Sequence, residues 1–105
     1  MSDFSAVLKF RTAEEGGRST PAKSGYCPTI QFPFEKGLFG GAQYFIGKDW
    51  VYPGETVDAE IGIIISPYFE GRLYEGLEFN FTEGGLIIGT GTITKIFNEK
   101  LRKTE

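Results

Sequence analysis

The chain of 105 residues is 40% hydrophobic and 15% aromatic, a composition that excludes a disordered polymer and allows one domain with a modest core. Its formal net charge of −3, from 11 basic and 14 acidic side chains, lacks the basic excess that nucleic-acid binders usually carry. It has no histidine and a single cysteine, Cys27, which excludes an internal disulfide and a cysteine-based zinc site. We therefore expect a cytoplasmic, metal-free protein.

The sequence shows no membrane or export signal. Its longest apolar runs are far shorter than the ~20 residues that a membrane span requires. The N-terminal residues 1–5 have no basic region ahead of an apolar one, so we expect no signal peptide. We expect no membrane partner.

The first half of the chain alternates apolar and polar residues in short segments. The segment Phe4–Phe10 predicts a half-buried strand, and the polar stretch 11–25 predicts a long loop that is functional or mobile. A second strand is predicted over residues 27–34, with Ile30, Phe32 and Phe34 on one face. Short strands at residues 42–46 and 49–52 come before a tight turn at Pro53-Gly54.

The second half continues this pattern. Residues 57–65 alternate most regularly, and Pro67 ends that strand ahead of an aromatic-rich loop over 67–75. A strand at 77–82 and the turn Glu83-Gly84-Gly85 lead into a last strand at 86–97. Its glycines, Gly89 and Gly91, predict a bend or the close approach of a neighbouring backbone.

Six or seven short strands joined by glycine turns predict an all-β fold, a single closed antiparallel barrel. The barrel domain is predicted to span residues 1–105, with 98–105 a charged tail that is flexible or a short helix. The alternation places these residues in the core: Leu8, Phe32, Ile61, Ile63, Phe79 and Ile93.

The sequence offers no catalytic constellation. No histidine is present to act as a base, and no serine lies in a G-x-S-x-G elbow. The stretch 41–49 departs from a phosphate-binding loop, with five residues where four are required and Asp49 where Ser or Thr would meet magnesium. We therefore expect no enzyme, no catalytic residues, no cofactor and no GTP binding.

Four landmarks follow one another along the chain: EGGRSTP at Glu15–Pro21, GYCP at Gly25–Pro28, VYPGE at Val51–Glu55 and EGGLIIGTG at Glu83–Gly91. In this order and with similar separations they resemble the third, C-terminal β-barrel domain of bacterial elongation factor Tu, over residues 4–97. The resemblance implies a closed barrel of the translation-factor type. In that family the barrel helps a GTPase domain hold aminoacyl-tRNA and contacts the T-stem of the tRNA.

By resemblance, three residues are candidates for RNA contact. The guanidinium of Arg18 suits a phosphate, and Glu83-Gly84 suits a ribose hydroxyl with close backbone approach. The alternative is that the glycines only satisfy turn geometry and that Arg18 pairs with Glu14 or Glu15. The polar or basic groups of the family are absent at five positions, which here are Ser19, Cys27, Thr29, Ser66 and Leu86.

The aromatic loop matches no landmark of the family. Tyr68, Phe69 and Tyr74 are therefore candidate protein contacts, although core or lid packing is the alternative for at least two of them. The sequence favours a non-catalytic binding module that engages a protein partner at an elongation-factor-type surface, as a decoy, regulator or immunity-type protein linked to translation.

The alternative hypothesis is a weak binding module for tRNA or another structured RNA. A contiguous basic patch around Arg18, Lys23 and Lys95 would favour that function, since phosphate neutralisation supplies much of RNA affinity.

Overall fold

The computed structural model describes residues 2–104 and contains eight β-strands and two short 3₁₀ helices in that range. The strands are β1 (Phe4–Phe10), β2 (Ala22–Lys23), β3 (Thr29–Gln31), β4 (Phe39–Phe45), β5 (Trp50–Val51), β6 (Thr56–Ile63), β7 (Glu78–Glu83) and β8 (Leu86–Ile96). The 3₁₀ helices are Ser66–Phe69 and Glu99–Leu101.

Six of the strands close into an antiparallel barrel in the order β1-β6-β4-β3-β7-β8, and β2 pairs with β5 as a separate ribbon. The predicted fold class is confirmed: the protein is all-β, with a single closed antiparallel barrel. All six residues predicted for the core are buried, and Ile63 and Ile93 are 5% and 1% exposed.

The last strand closes the barrel with the help of two bulges. Its register shifts against β1 at Thr94 and against β7 at Ile88. In the strand between them, a side chain at Gly89 would overlap the ring of Phe81, and one at Gly91 would overlap the ring of Phe79. These glycines therefore make room chiefly for aromatic rings of the paired strand, rather than for a neighbouring backbone alone.

Two predicted strands end earlier than expected. The strand predicted over 27–34 is only Thr29–Gln31, because Pro33 cannot donate a hydrogen bond to β7. Ile30 and Phe32 are buried as predicted, but Phe34 lies beyond the strand and is 41% exposed. The strand predicted over 57–65 ends at Ile63, which leaves Ile65 exposed.

The C-terminal tail is partly helical and attached to the barrel. Leu101 is fully buried, and the backbone N–H of Leu73 donates to its carbonyl at 2.8 Å. Within the predicted tail, Glu99–Leu101 form a 3₁₀ helix, and Glu105 lies outside the described residues. Within residues 2–104 no helix has the length and apolar character needed to cross a membrane.

Candidate functional site

Arg18 ties the loop that follows β1 to the β7–β8 hairpin. Its Nη1 lies 2.8 Å from Oε1 of Glu83, a residue 65 positions away in the sequence. This pairing differs from the predicted alternative, in which Arg18 paired with Glu14 or Glu15. The sequence could not indicate the partner because the contact joins two separate loops at one end of the barrel.

The hydrogen-bond donors of Arg18 are largely occupied. Its Nε donates to the carbonyl of Thr20 at 3.2 Å, and Nη2 donates to Oγ1 of Thr20 at 3.1 Å and to the carbonyl of Pro21 at 3.2 Å. Nη1 is shared between both carboxylate oxygens of Glu83. A guanidinium carries five N–H donors, so few remain for a phosphate.

Tyr26 completes this cluster. Its hydroxyl donates to Oε1 of Glu83, and the guanidinium carbon of Arg18 lies 4.8 Å from the centre of its ring. Partial burial, followed by the bond to Glu83, raises the pKa of the Tyr26 phenol above its usual range. The bond from Tyr26, and then that from Arg18, lowers the pKa of Glu83.

The two other RNA-contact candidates lie at the hairpin turn. Gly84 has a φ of +60°, and a side chain there would meet open space, so backbone conformation alone accounts for the glycine. Glu83 faces solvent in part but is held by the cluster. The three candidates thus lie together at one end of the barrel, and Arg18 and Glu83 neutralise each other there.

The contiguous basic patch that would favour RNA is absent among residues 2–104. Lys95 lies opposite Ser5 near the end of β8, whereas the Arg18 cluster lies at its beginning, where Leu86 pairs with Glu83. Nine residues of strand separate these ends, roughly 30 Å. Lys23 lies instead over the ring of Trp50 on the small β2–β5 ribbon.

The aromatic loop divides between core and surface. Phe69 is fully buried, so its prediction as a direct protein contact is wrong: its ring packs against Phe32 and Phe39. Tyr68 is 48% exposed and Tyr74 is 44% exposed, so both remain available to a partner. The loop therefore has a buried anchor and two accessible rings.

Arg72 organises the part of this loop around Tyr68. Its guanidinium carbon lies 5.2 Å from the centre of the Tyr68 ring and 4.8 Å from that of Phe34. Its Nη2 lies 3.1 Å from Oε1 of Glu35, which also accepts a hydrogen bond from the hydroxyl of Tyr68 at 3.1 Å. These contacts hold Tyr68 in place, so its side chain would lose less conformational entropy when a partner binds.

Near Tyr68 the structure exposes apolar side chains that the sequence did not single out. We name this group the Ile64 patch; its exposed members are Leu38, Ile64, Ile65 and Tyr68, and its half-buried member is Phe39. Ile64 is the most exposed of them, at 71%, and its N–H donates to Gly40 at 3.0 Å, beside Phe39. Phe39 stacks on Tyr68 with ring centres 5.1 Å apart, which joins the patch to the aromatic loop.

The sequence did contain a signal for this patch. Residues 63–65 are three consecutive isoleucines, whereas a strand with one buried face requires alternation. One of the three must therefore face outward or lie beyond the strand, and in the structure Ile64 and Ile65 do so.

No cluster of three or more potential metal-binding side chains occurs within residues 2–104. The chain matches no protein-family model over its length.

Proposed function

We propose that this protein is a non-catalytic binding module that engages a protein partner through the Ile64 patch and the adjoining aromatic loop. Its resemblance to the third domain of elongation factor Tu suggests a partner that recognises that type of surface. The role would be that of a decoy, regulator or immunity-type protein linked to translation.

The observation that carries this proposal is the exposure of four large side chains on neighbouring segments, Leu38, Ile64, Ile65 and Tyr68, which are 45% to 71% exposed. Soluble monomers expose scattered apolar residues, but several exposed apolar side chains on neighbouring segments, with an aromatic ring among them, are typical of interaction sites. Tyr68 is held by Arg72 and Glu35, and a rigid aromatic ring at an interface is a common energetic anchor.

The weaker alternative, an RNA module, relies on Arg18, Glu83 and Gly84. Arg18 is engaged with Glu83, Thr20 and Pro21, and a cation that is already paired gains little from a phosphate. This arrangement supports the protein-binding proposal over the RNA alternative.

The proposal can be tested with one charged substitution and its matched control. Ile64→Lys introduces a cation in the patch, and Leu86→Lys does so at a residue that is 66% exposed on the hairpin beside Arg18. Both variants should fold, because both side chains lie at the surface. The measurement is binding to immobilised elongation factor Tu GTPase domain and to its exchange factor, after nuclease treatment.

We expect Ile64→Lys to weaken protein binding by tenfold or more, since truncating or charging an anchor costs about 2 kcal/mol. Leu86→Lys should leave that binding unchanged. If neither protein binds the parent chain, and tRNA binds with a steep salt dependence that Arg18→Ala abolishes, the RNA alternative replaces this proposal.

A further inference from the structure

A groove of about 650 Å³ opens on the outer surface of the barrel between β3 and β7. It exists because β3 leaves the sheet early. The last pair between the two strands is Gln31 with Asn80, whereas β7 begins two residues earlier, at Glu78. Beyond Gln31 the chain continues through Pro33 and Phe34, which form the opposite wall of the groove.

The backbone of Glu78 faces this groove. The N–H of Ile93 on β8 donates to the carbonyl of Leu77 at 2.9 Å, so the N–H of Glu78, which belongs to the same trans peptide unit, points the other way, toward β3. No backbone hydrogen bond joins Glu78 to residues 32–36 in the described chain. Pro33, which would stand opposite Glu78 if the ladder continued, has no N–H to offer.

Neutral polar side chains line the floor of the groove. Asn80 donates to Oε1 of Gln31 at 3.4 Å, a long bond that leaves other amide groups of both residues available. Thr90 and Thr92 on β8 also line the groove, paired with Asn80 and Glu78 respectively. Amide and hydroxyl groups of this kind match the donors and acceptors of a peptide backbone.

From this geometry we propose that the groove binds an extended peptide segment of a partner, which adds as a short strand to the free edge of β7. The segment would exchange backbone hydrogen bonds with Glu78, in the manner of strand addition at exposed sheet edges. The proposal concerns a different surface from the Ile64 patch and does not depend on the proposed function.

The charge of Glu78 specifies part of the peptide. Residues directly opposite each other in an antiparallel pair share a face, so the peptide residue opposite Glu78 directs its side chain beside that carboxylate. Glu78 is exposed and has no salt bridge within residues 2–104. A lysine or arginine is therefore favoured at that peptide position, while Lys36 on the opposite wall disfavours further basic residues.

The test uses the ¹⁵N-labelled protein and nuclear magnetic resonance with three defined probes. The first is the capped peptide Thr-Val-Lys-Val-Thr, the second replaces its lysine with glutamate, and the third is the disaccharide maltose. We expect the lysine peptide to shift the amide signals of Glu78 and Asn80 and to bind roughly fivefold more tightly than the glutamate peptide. N-methylation of single peptide residues should abolish binding only at alternate positions, those whose N–H would point toward β7.

Reversing the charge of Glu78 tests whether the preference between the two peptides depends on this carboxylate or on the net charge of the protein. Glu78→Lys should make the glutamate peptide the tighter ligand, whereas Glu60→Lys, on β6, should not change the order. In the free protein, the Glu78 amide should exchange with solvent at least tenfold faster than that of Asn80.

A slow-exchanging Glu78 amide, or peptides at millimolar concentration that leave Glu78 and Asn80 unshifted, would overturn the proposal. So would shifts at these residues produced by maltose but not by either peptide. Neither result bears on the Ile64 patch, which is tested by Ile64→Lys.

Discussion

At the scale of single residues, Arg18 shows how a side chain suited to a ligand can be used internally. It is 21% exposed, and its donors reach two backbone carbonyls, a hydroxyl and a carboxylate. The planar fork of the guanidinium suits this set of acceptors, and a lysine ammonium does not reproduce it. The shape of the side chain therefore matters here as well as its charge.

We predict that Arg18→Lys destabilises the protein almost as much as Arg18→Ala, by about 1–2 kcal/mol each. Both changes break the bonds to Thr20 and Pro21, although lysine retains the charge opposite Glu83. Because Glu83 is half exposed, the ion pair alone should contribute less than about 1 kcal/mol. Urea unfolding measures both effects, with Arg11→Lys as the control, since the side chain of Arg11 makes a single long hydrogen bond in the described chain, to the carbonyl of Ile87 at 3.4 Å.

If Arg18→Lys unfolds at the same urea concentration as the parent chain, the internal role assigned to Arg18 is wrong. A weakened affinity for tRNA in the same variant would then return Arg18 to the phosphate-contact role that the sequence resemblance implied.

At the scale of elements, alternation predicted the long strands well because each has one buried face. The alternating residues of β1 and β6 are buried at every second position, as expected from the sequence. Alternation failed where local chemistry ended pairing: Pro33 shortened β3, and Ile65 continued an apolar pattern beyond the end of β6. Apolar residues outside a strand look the same in sequence as those inside it.

The loop between β6 and β7 combines a structural and an accessible half. Phe69 packs against Phe32 and Phe39, while the Tyr74 ring lies at the surface, with Nζ of Lys103 5.7 Å from its centre. The predicted aromatic loop therefore existed, but the sequence could not indicate which ring faced inward. That depends on residues 30 to 40 positions earlier in the chain.

We predict that Phe69→Ala lowers the free energy of unfolding by about 3–5 kcal/mol, because it leaves a cavity among the surrounding rings. Tyr74→Ala, at a ring that is 44% exposed, should change it by less than about 1 kcal/mol. Chemical denaturation of the two variants in parallel provides the measurement. Equal, small losses would contradict the burial of Phe69 and restore it as a surface contact.

At the scale of the whole molecule, the candidate site is a product of chain closure. Arg18 and Glu83 belong to landmarks near opposite ends of the sequence. The sequence suggested each as a site residue but did not indicate that they contact each other. The Ile64 patch and the β7 edge arise where strands end. Their exposure is decided by the barrel as a whole: the three isoleucines at 63–65 indicated that a side chain must face outward there, but nothing in the periodicity indicated the free edge of β7.

Carboxylates distributed over the whole barrel should make the free energy of unfolding depend on pH in the acidic range. Hydrogen bonds and nearby cations lower the pKa of six glutamates below their usual value of 4.5: Glu15, Glu35, Glu55, Glu75, Glu83 and Glu99. For Glu55, the first cause is the N–H of Tyr52, which donates to its carboxylate at 2.8 Å. Each of these bonds favours the ionised carboxylate in the folded protein.

A carboxylate with a lowered folded pKa stabilises the protein above its unfolded pKa, and that contribution is lost as pH falls through the folded value. We therefore predict a urea midpoint that changes little from neutral pH to about pH 5 and then declines steadily below about pH 4.5. Glu55→Gln should reduce this decline, whereas Glu14→Gln, at an exposed carboxylate without a hydrogen bond in the described chain, should not. A midpoint that is constant down to about pH 3, or that falls before pH 5 is reached, would show that these six carboxylates do not control acid stability.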